Sequence, residues 1–210
     1  MLQKRANFMN NHPLFNNVDL KHYKKLINAT KYPINTLLFQ EGEQCSSLGL
    51  ILSGELTIST LAEFDKEYTI NVLHKNDIFG ENLLFNKSDV FLGDGIVTKE
   101  AEIVFIPKNL LMELFSNKTF LTNYLKITSE KNSKLRERLK LLSQKSIEDR
   151  IMFYLISQYK KTNNKKISIK SKEDLAVILN IPRPSLSREL INLKDKGLIQ
   201  YDKYSITLLI

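Results

Sequence analysis

Hydrophobic and polar residues alternate in short runs over the first half of the chain. These runs are Ile34–Phe39, Leu48–Leu52, Glu55–Thr60, Tyr68–Leu73, Asp89–Val97 and Glu102–Ile106. They are rich in β-forming residues and separated by turn residues such as Glu41-Gly42 and Ser53-Gly54, at intervals of roughly 8 to 12 residues. This spacing predicts an antiparallel roll or sandwich, not a parallel sheet with crossover helices. Residues 13–28, which precede the runs, predict one or two short helices packed on the strands.

Pro107 marks a change of the hydrophobic period from two to about 3.6, which predicts a short helix to Phe115 and a long helix from Lys118. The long helix carries a narrow stripe with alternating steps of four and three residues. The stripe consists of Leu121, Leu125, Thr128, Asn132, Leu135, Leu139 and Leu142. Charged flanks and a polar Asn132 at an a-type position are typical of a parallel two-stranded coiled coil, so we expect a homodimer joined along this seam. The alternative is that the stripe packs on its own β-domain.

The last third of the chain has the layout of a winged helix-turn-helix. Ser171 followed by Asp174 predicts a capped helix start, and Asn180-Ile181-Pro182 predicts a turn. A second helix from Arg183 carries leucines on one face and ends at Gly197, and 198–208 alternates as a small hairpin. The pattern therefore predicts three segments: an antiparallel β-roll domain at 1–106, a linker and long dimerisation helix at 107–144, and a winged helix-turn-helix domain at 145–210.

The distribution of charge agrees with a polyanion-binding C-terminal segment. The chain has 210 residues and a net charge of +8. Residues 1–106 hold 10 basic and 13 acidic residues, 107–144 hold 8 and 3, and 145–210 hold 13 and 7. The basic excess lies in the last two segments, where a lysine-rich surface needed only for solubility is the alternative explanation.

Composition excludes several classes of protein. A hydrophobic fraction of 42% excludes wholesale disorder. The apolar runs are far shorter than the roughly 18 residues that span a bilayer, and 1–11 lacks the features of a secretory signal, so we expect a cytoplasmic protein. A single cysteine, Cys45, excludes an intramolecular disulfide and a cysteine-ligated iron–sulfur cluster.

Catalytic and metal-binding patterns are also missing. There is no Ser/His/Asp constellation, glycine-rich phosphate loop or paired-carboxylate motif, so we predict no enzymatic activity and no cofactor. His12, His22 and His74 are scattered without a partner at ligand spacing, and we predict no metal site.

Several segments resemble one family. Leu175–Ile199 resembles the helix-turn-helix of bacterial transcription factors of the cyclic-AMP receptor protein/FNR (Crp/Fnr) family. Pro13–Phe15, Phe39–Gly42, Leu52–Glu55 and Asp77–Glu81 resemble the cyclic-nucleotide-binding-type β-roll of that family. The order of the segments matches over about residues 12–208. The resemblance implies an α+β fold with an N-terminal jelly-roll-like β-roll, a central dimerisation helix, and two winged helices per dimer that read a pseudo-palindromic site.

Two departures from the family pattern change the expected function. In cyclic-AMP-binding members an arginine and a serine hold the cyclic phosphate, and Phe91 and Leu92 stand at these positions here. A phosphate without a matching cation loses its charge-assisted hydrogen bonds, so we do not expect cyclic AMP or GMP as effector. The effector pocket implied by the resemblance comprises Gly80, Glu81, Phe91, Leu92 and Arg136. In the second helix, Pro184 replaces a glutamate that would read cytosine.

The second helix of the helix-turn-helix supplies the candidate base readers. Its leucines share one face, and the first turn of such a helix enters the major groove, so Arg183, Ser185 and Arg188 are the predicted base readers. Lysines on neighbouring elements are candidates for phosphate contacts. The full predicted DNA-binding set is Arg183, Ser185, Ser187, Arg188, Asn192, Lys172, Lys194 and Lys203. An ordinary solvated helix face is the alternative.

The sequence therefore predicts a homodimeric DNA-binding transcription regulator whose sensor domain does not bind cyclic AMP. Its expected partners are double-stranded DNA and a second copy of the chain, with RNA polymerase and an unidentified small-molecule effector as further candidates. The alternative function is a small-molecule-binding regulatory protein that acts on a protein partner. The arginines of the second helix and the wing favour the first interpretation.

Overall fold

A computed structural model describes residues 12–19, 23, 26–62 and 66–209. The chain divides into two compact units, Met1–Ser129 and Glu130–Ile210. Within the predicted helical segment 13–28 the structure has a 3₁₀ turn at Pro13–Phe15, where the His12 imidazole accepts a hydrogen bond from the Leu14 amide. Residues 20–22 and 24–25 of that segment, including His22, lie outside the described residues.

The first unit is built on a six-stranded antiparallel sheet with the strand order β1-β6-β3-β4, in which β2 pairs with β6 and β5 pairs with β3. The strands are β1 Ala29–Tyr32, β2 Leu37–Phe39, β3 Ser47–Ala62, β4 Lys66–His74, β5 Ile78–Phe79 and β6 Asp94–Pro107. The predicted antiparallel β-roll is thereby confirmed.

Two strands are longer than the sequence pattern predicted. The predicted turn at Ser53-Gly54 is wrong, because β3 continues through it as a bulge: Gly54 has a φ of +83°, and the register against β6 shifts on both sides of it. The predicted strand Asp89–Val97 is also wrong in its first half. Only Val90 forms an isolated bridge there, with Gln44, and β6 begins at Asp94 and runs through the predicted strand Glu102–Ile106.

Two helices follow the sheet. They are α1 Lys108–Phe115 and α2 Lys118–Leu142. Pro107 ends β6 and stands as the N-cap residue of α1, so the predicted change of period at this proline is confirmed. The buried side chains of α1 and the start of α2, among them Leu111, Leu114 and Phe120, join the core that covers one face of the roll.

The second unit contains the last part of α2, three further helices and a small sheet. The elements are α3 Ile147–Thr162, β7 Lys166–Ser168, α4 Lys172–Leu179, α5 Arg183–Asp195, β8 Ile199–Tyr201 and β9 Ser205–Leu208. The sheet has the order β7-β9-β8, and β8 and β9 form the predicted wing. The predicted cap is confirmed, because the Ser171 hydroxyl accepts from the Asp174 amide at 3.0 Å.

Candidate nucleic-acid interface

Helix α5 separates an apolar face from a polar face. Leu186, Leu190 and Leu193 are fully buried in the core of the second unit, which fixes the rotation of the helix. Arg183 and Arg188 therefore remain on the exposed face, and Ser185 and Ser187 are half-buried at its edges. Proline at the start of the helix removes a backbone donor where helical amides lack partners, so the first turn forms without strain.

The two predicted base-reading arginines lie in different environments. The Arg183 Nε forms an ion pair with Glu173 of α4 at 2.5 Å, and both side chains are mostly exposed. Arg188 is exposed and has no hydrogen bond or ion pair with any residue that the structure describes. A free guanidinium can donate two parallel hydrogen bonds to guanine, whereas Arg183 must first leave its carboxylate partner. No sequence pattern indicated that Glu173 would pair with Arg183, because a 10-residue separation across a turn follows no simple helix spacing.

A group of cations surrounds Tyr201 at the start of the wing. The Lys172 Nζ lies 4.6 Å from the centre of the Tyr201 ring, and the Lys194 Nζ lies 6.0 Å from it. Lys203 lies over the ring of Tyr204 at 5.1 Å. The Tyr201 ring thus brings together Lys172 from the start of α4 and Lys194 from the end of α5, while Lys203 lies over a second ring on the wing. The predicted Asn192 instead donates to Glu189 at 2.9 Å.

The turn of the wing is held by a carboxylate that sequence analysis did not single out. Asp202 Oδ1 accepts from the amides of Tyr204 and Ser205, both at 2.7 Å, and Oδ2 accepts from the Ser205 hydroxyl at 2.8 Å. These donors, the Tyr204 amide above all, lower the pKa of Asp202. The sequence did contain a signal for this turn, because Asp202 stands two residues before Tyr204 between two short strands, and an aspartate at such a position often accepts from nearby backbone amides.

The residues predicted to line an effector pocket lie in different environments. Phe91 is half-buried and stacks on Phe39, with ring centres 3.7 Å apart and planes inclined by 14°. Leu92, next in the chain, has a side chain that is 68% exposed. Glu81 is buried, and Gly80 has a φ of +83° beside the buried Cys45, whose thiol pKa is raised by burial.

Arg136, the fifth predicted pocket residue, belongs to the second unit. It is exposed on α2 and donates to the Ser133 hydroxyl at 3.2 Å, one turn earlier on the same helix. This contact holds Arg136 at the surface of α2.

The aromatic rings of the roll occupy space that glycines provide. Phe79 packs against Phe39 and meets Phe105 edge-on, both at 5.7 Å between ring centres. A Cβ atom at Gly49 would lie 2.1 Å from the Phe79 ring, and one at Gly95 would lie 2.3 Å from the Phe39 ring. The rings of Phe79 and Phe39 thus fill the space that side chains at Gly49 and Gly95 would otherwise occupy in the interior of the roll.

The predicted seam on α2 is largely uncovered within one chain. Leu125, Leu135 and Leu139 are 53%, 58% and 58% exposed, and Asn132 is exposed as well. Leu121, Thr128 and Leu142 are half-buried, and the Thr128 hydroxyl donates to carbonyls of its own helix. By contrast, Phe120 and Tyr124 of the same helix are buried.

The described part of the chain contains no helix long and apolar enough to cross a membrane. Nor does it contain a group of three or more His, Cys, Asp or Glu residues placed to hold a metal ion.

The fold and the exposed basic helix define a winged helix-turn-helix protein with a β-roll of the cyclic-nucleotide-binding type. The family model of the cyclic nucleotide-binding domain matches residues 29–118, and the model of the Crp-like helix-turn-helix domain matches residues 149–209. The chain belongs to the Crp/Fnr family, and it is a DNA-binding transcription regulator of that type.

Individual relatives agree with this assignment. The chain is 29% identical over 176 residues to the anaerobic regulatory protein of Bacillus subtilis, with 80% of this chain and 74% of the relative covered. The catabolite activator protein of Thermus thermophilus shares the fold with a TM-score of 0.53 and 17% identity, covering 93% of both chains. CprK complexed with OCPA has a TM-score of 0.64 and 14% identity, covering 90% of this chain and 88% of CprK.

Proposed function

We propose that this regulator binds a pseudo-palindromic DNA site as a homodimer and reads bases through the first turns of α5. The observation that carries the proposal is Arg188, which is exposed on the face of α5 opposite its buried leucines and pairs with no described residue. Two further cations, Lys172 and Lys194, lie over Tyr201 at the start of the wing. Arginine is the side chain that most often reads guanine, and lysines at the rim of the groove contact phosphates without selecting a sequence. Arg183, Ser185 and Ser187 complete the reading edge, and Asn192 and Lys203 flank it.

Binding-site selection from randomised duplex DNA tests this proposal. Two-fold symmetry places the half-site centres about 34–36 Å apart or a multiple of that distance, so the recovered motif should be an inverted repeat. Arg188→Ala should cost about 1–3 kcal/mol of binding free energy on the selected duplex and relax one base position in each half-site. The control Lys203→Ala should weaken all duplexes alike and lower the salt slope by about one unit. Equal, sequence-independent losses for both variants would contradict the proposal.

The proposed dimer is joined along the seam of α2. Isolated leucines on a helix surface are common, but three half-exposed leucines on one heptad stripe form a surface that a second copy of the same helix can bury. In the first unit α2 makes its core contacts through Phe120 and Tyr124 while Leu125 of the stripe stays exposed, which argues against the alternative that the stripe packs on the β-domain.

Sedimentation of a double variant tests the dimer. Leu135→Glu combined with Leu139→Glu should give monomers that bind the selected duplex poorly, because like charges would face one another across the seam. Lys140→Glu is the matched control, since it reverses a charge about a third of the way around the same helix. An unaltered dimer in the double variant would place the interface elsewhere.

We also infer that the β-roll, at 1–106, does not take cyclic AMP. Phe91 stacks on Phe39 instead of presenting a cation, so a cyclic phosphate would have to enter without a charge-assisted hydrogen bond. Titration calorimetry should show no binding, and micromolar affinity would contradict the inference. The central segment 107–144 then serves dimerisation and 145–210 serves DNA binding, with RNA polymerase and an effector other than a cyclic nucleotide as further partners.

A further inference from the structure

The guanidinium of Arg150 on α3 joins the ends of two other helices. Its Nη1 donates to the carbonyls of Leu179 and Asn180, both at 3.2 Å, and its Nη2 lies 3.4 Å from the carbonyl of Leu142. Leu142 is the last residue of α2, Leu179 is the last residue of α4, and Asn180 is the C-cap of α4. One side chain therefore caps two helix C-termini at once.

These carbonyls need an external donor. The last four carbonyls of a helix have no partner within it. At the end of α4 the local backbone satisfies earlier ones: the Asn180 amide donates to the Val177 carbonyl, and the Ile181 amide donates to that of Ala176. Asn180 has a φ of +52°, so the chain reverses there and leaves its own carbonyl and that of Leu179 to Arg150. A cation at these ends also interacts favourably with the partial negative charge of helix C-termini.

The environment of the Arg150 Nε shows that the two terminal nitrogens of the guanidinium make the contacts with the helix ends. This atom is buried and has no hydrogen-bond partner among the described residues. A buried donor without a partner costs stability, so the side chain is held by its two terminal nitrogens at the expense of the third. Lysine could not reproduce this arrangement, because its single ammonium lacks the planar fork that spans two separate helix ends.

The carbonyls that Arg150 binds belong to the turn of the helix-turn-helix. Residues 180–182 connect α4 to α5, and their conformation sets the direction in which α5 leaves the core. We propose that Arg150 is a positioning residue for DNA reading: it fixes this turn, and with it the angle of α5, against the last turn of α2. The inference rests on the proposed role of α5 as the reading helix and adds a residue that touches no DNA.

Binding measurements on two duplexes test this inference. The probes are the duplex that the wild-type chain selects from a randomised pool and a scrambled duplex of the same composition. Arg150→Gln should weaken binding to the selected duplex by about tenfold, the effect of one lost charge-assisted hydrogen bond. Affinity for the scrambled duplex and the salt slope should stay near wild type, because non-specific binding depends on phosphate contacts that this variant keeps. Arg150→Lys should recover part of the loss, since it retains the charge near the carbonyls.

Two controls separate positioning from other roles. Lys145→Gln removes one positive charge from an exposed side chain that has no partner among the described residues, and it should leave both affinities unchanged. Hydrogen exchange should become faster in Arg150→Gln at 176–182 and stay slow at 151–155, where the α3 side chains Ile151 and Leu155 are fully buried.

Three results would overturn the inference. They are unchanged selectivity in Arg150→Gln, a smaller salt slope with equal losses on both duplexes, and faster exchange throughout the second unit. The first would show that Arg150 does not position α5, the second that it contacts phosphate, and the third that it acts only on stability. Arg188→Ala, measured in parallel, identifies a failure of the underlying function: if it too leaves selectivity unchanged, α5 is not the reading helix.

Discussion

The β-roll and the winged helix use their distinctive side chains in opposite ways. In the roll, the rings of Phe39, Phe79 and Phe91 turn inward and fill the interior against Gly49 and Gly95. In the winged helix the half-buried Tyr201 packs on the core and also has two ammonium groups over its ring. The three phenylalanines of the roll therefore serve packing alone, whereas Tyr201 both packs and arranges charge at the surface.

This difference suggests how a regulator of this fold can keep DNA binding in its winged helix while ligand binding in its roll changes. DNA binding needs exposed cations on a rigid scaffold, and that scaffold depends on buried leucines of α5, which are present. In the proposed function the roll takes no cyclic nucleotide, because Phe91 stacks on Phe39 at a position where cyclic-AMP-binding members of the family present a cation. The two units can therefore be tested separately, beginning with the interior of the roll.

Loss of the Phe91 ring should have the largest effect. We expect Phe91→Ala to lower the free energy of unfolding of the roll by about 3 kcal/mol, because it removes the stack on Phe39 and leaves a cavity. Leu92→Ala is the adjacent control and should change it by less than about 0.5 kcal/mol, since its side chain is 68% exposed. Denaturant titration followed by hydrogen exchange of roll peptides measures both. Similar losses in the two variants would mean that the ring is not a packing element.

Acid should destabilise the roll through His12 by a slightly smaller amount. The imidazole is fully buried, and burial lowers the pKa of His12 from 6.5 to about 4, against the smaller opposing effects of the Asn76 backbone and Asp77. Between these values the unfolded chain binds a proton that the folded chain does not, so stability should fall as the pH drops from about 6.5 to 4. The integrated loss is roughly 3 kcal/mol as an upper value, and it levels off below pH 4.

A variant that cannot titrate checks this interpretation. His12→Asn keeps an oxygen that can accept from the Leu14 amide, as the imidazole Nδ1 does now at 3.1 Å. Its stability should be nearly flat over the same pH window. If wild type and His12→Asn show the same slope, other groups cause the acid sensitivity.

The sequence predicted most of the winged helix and less of the roll, for a physical reason. The winged helix depends on local signals such as the Ser171 cap, the turn at Asn180 and the leucine period of α5, and each of these is present in the structure. The roll depends on pairing between distant strands. A bulge at Gly54 in a continuous strand and a turn between two strands have the same local pattern, so only the register against β6 distinguishes them.

Side-chain partners were less predictable than elements. Arg183 pairs with Glu173, and Lys172 lies over Tyr201. Both contacts join residues from different elements, so the sequence pattern did not predict them. No sequence pattern indicated a role for Arg150 in joining helix ends, because a single arginine on an amphipathic helix is usually solvated. Its carbonyl partners become neighbours only when α2, α3 and α4 are packed.

Within the winged helix, the cap of α4 should have a moderate effect. Ser171→Ala removes the acceptor of the Asp174 amide and should cost about 1 kcal/mol in the free energy of unfolding of the second unit. Ser171→Asp should restore most of this loss, because a carboxylate also caps a helix start and interacts favourably with its partial positive charge. The loss should leave the roll unchanged in hydrogen exchange. A change in roll peptides would show that the two units do not respond independently.

The smallest effect is expected at the wing, where Asp202 itself is exposed to solvent although its partner Ser205 is buried. Asp202→Asn keeps one oxygen to accept from the Tyr204 and Ser205 amides but places an amide nitrogen, which cannot accept, beside the Ser205 hydroxyl. Because the remaining oxygen is uncharged, it accepts more weakly, and exchange of the two amides should become faster. Because the pKa of Asp202 is lowered in the folded chain, wild type should keep this turn above about pH 4 and lose its contribution as the pH falls through the lowered value. DNA affinity should fall by less than about twofold, equally on selected and scrambled duplexes, since Lys203 on this turn contacts phosphate in the proposed complex. If affinity instead falls on the selected duplex alone, the wing belongs to the elements that read bases, and its turn sets sequence preference as well as phosphate contact.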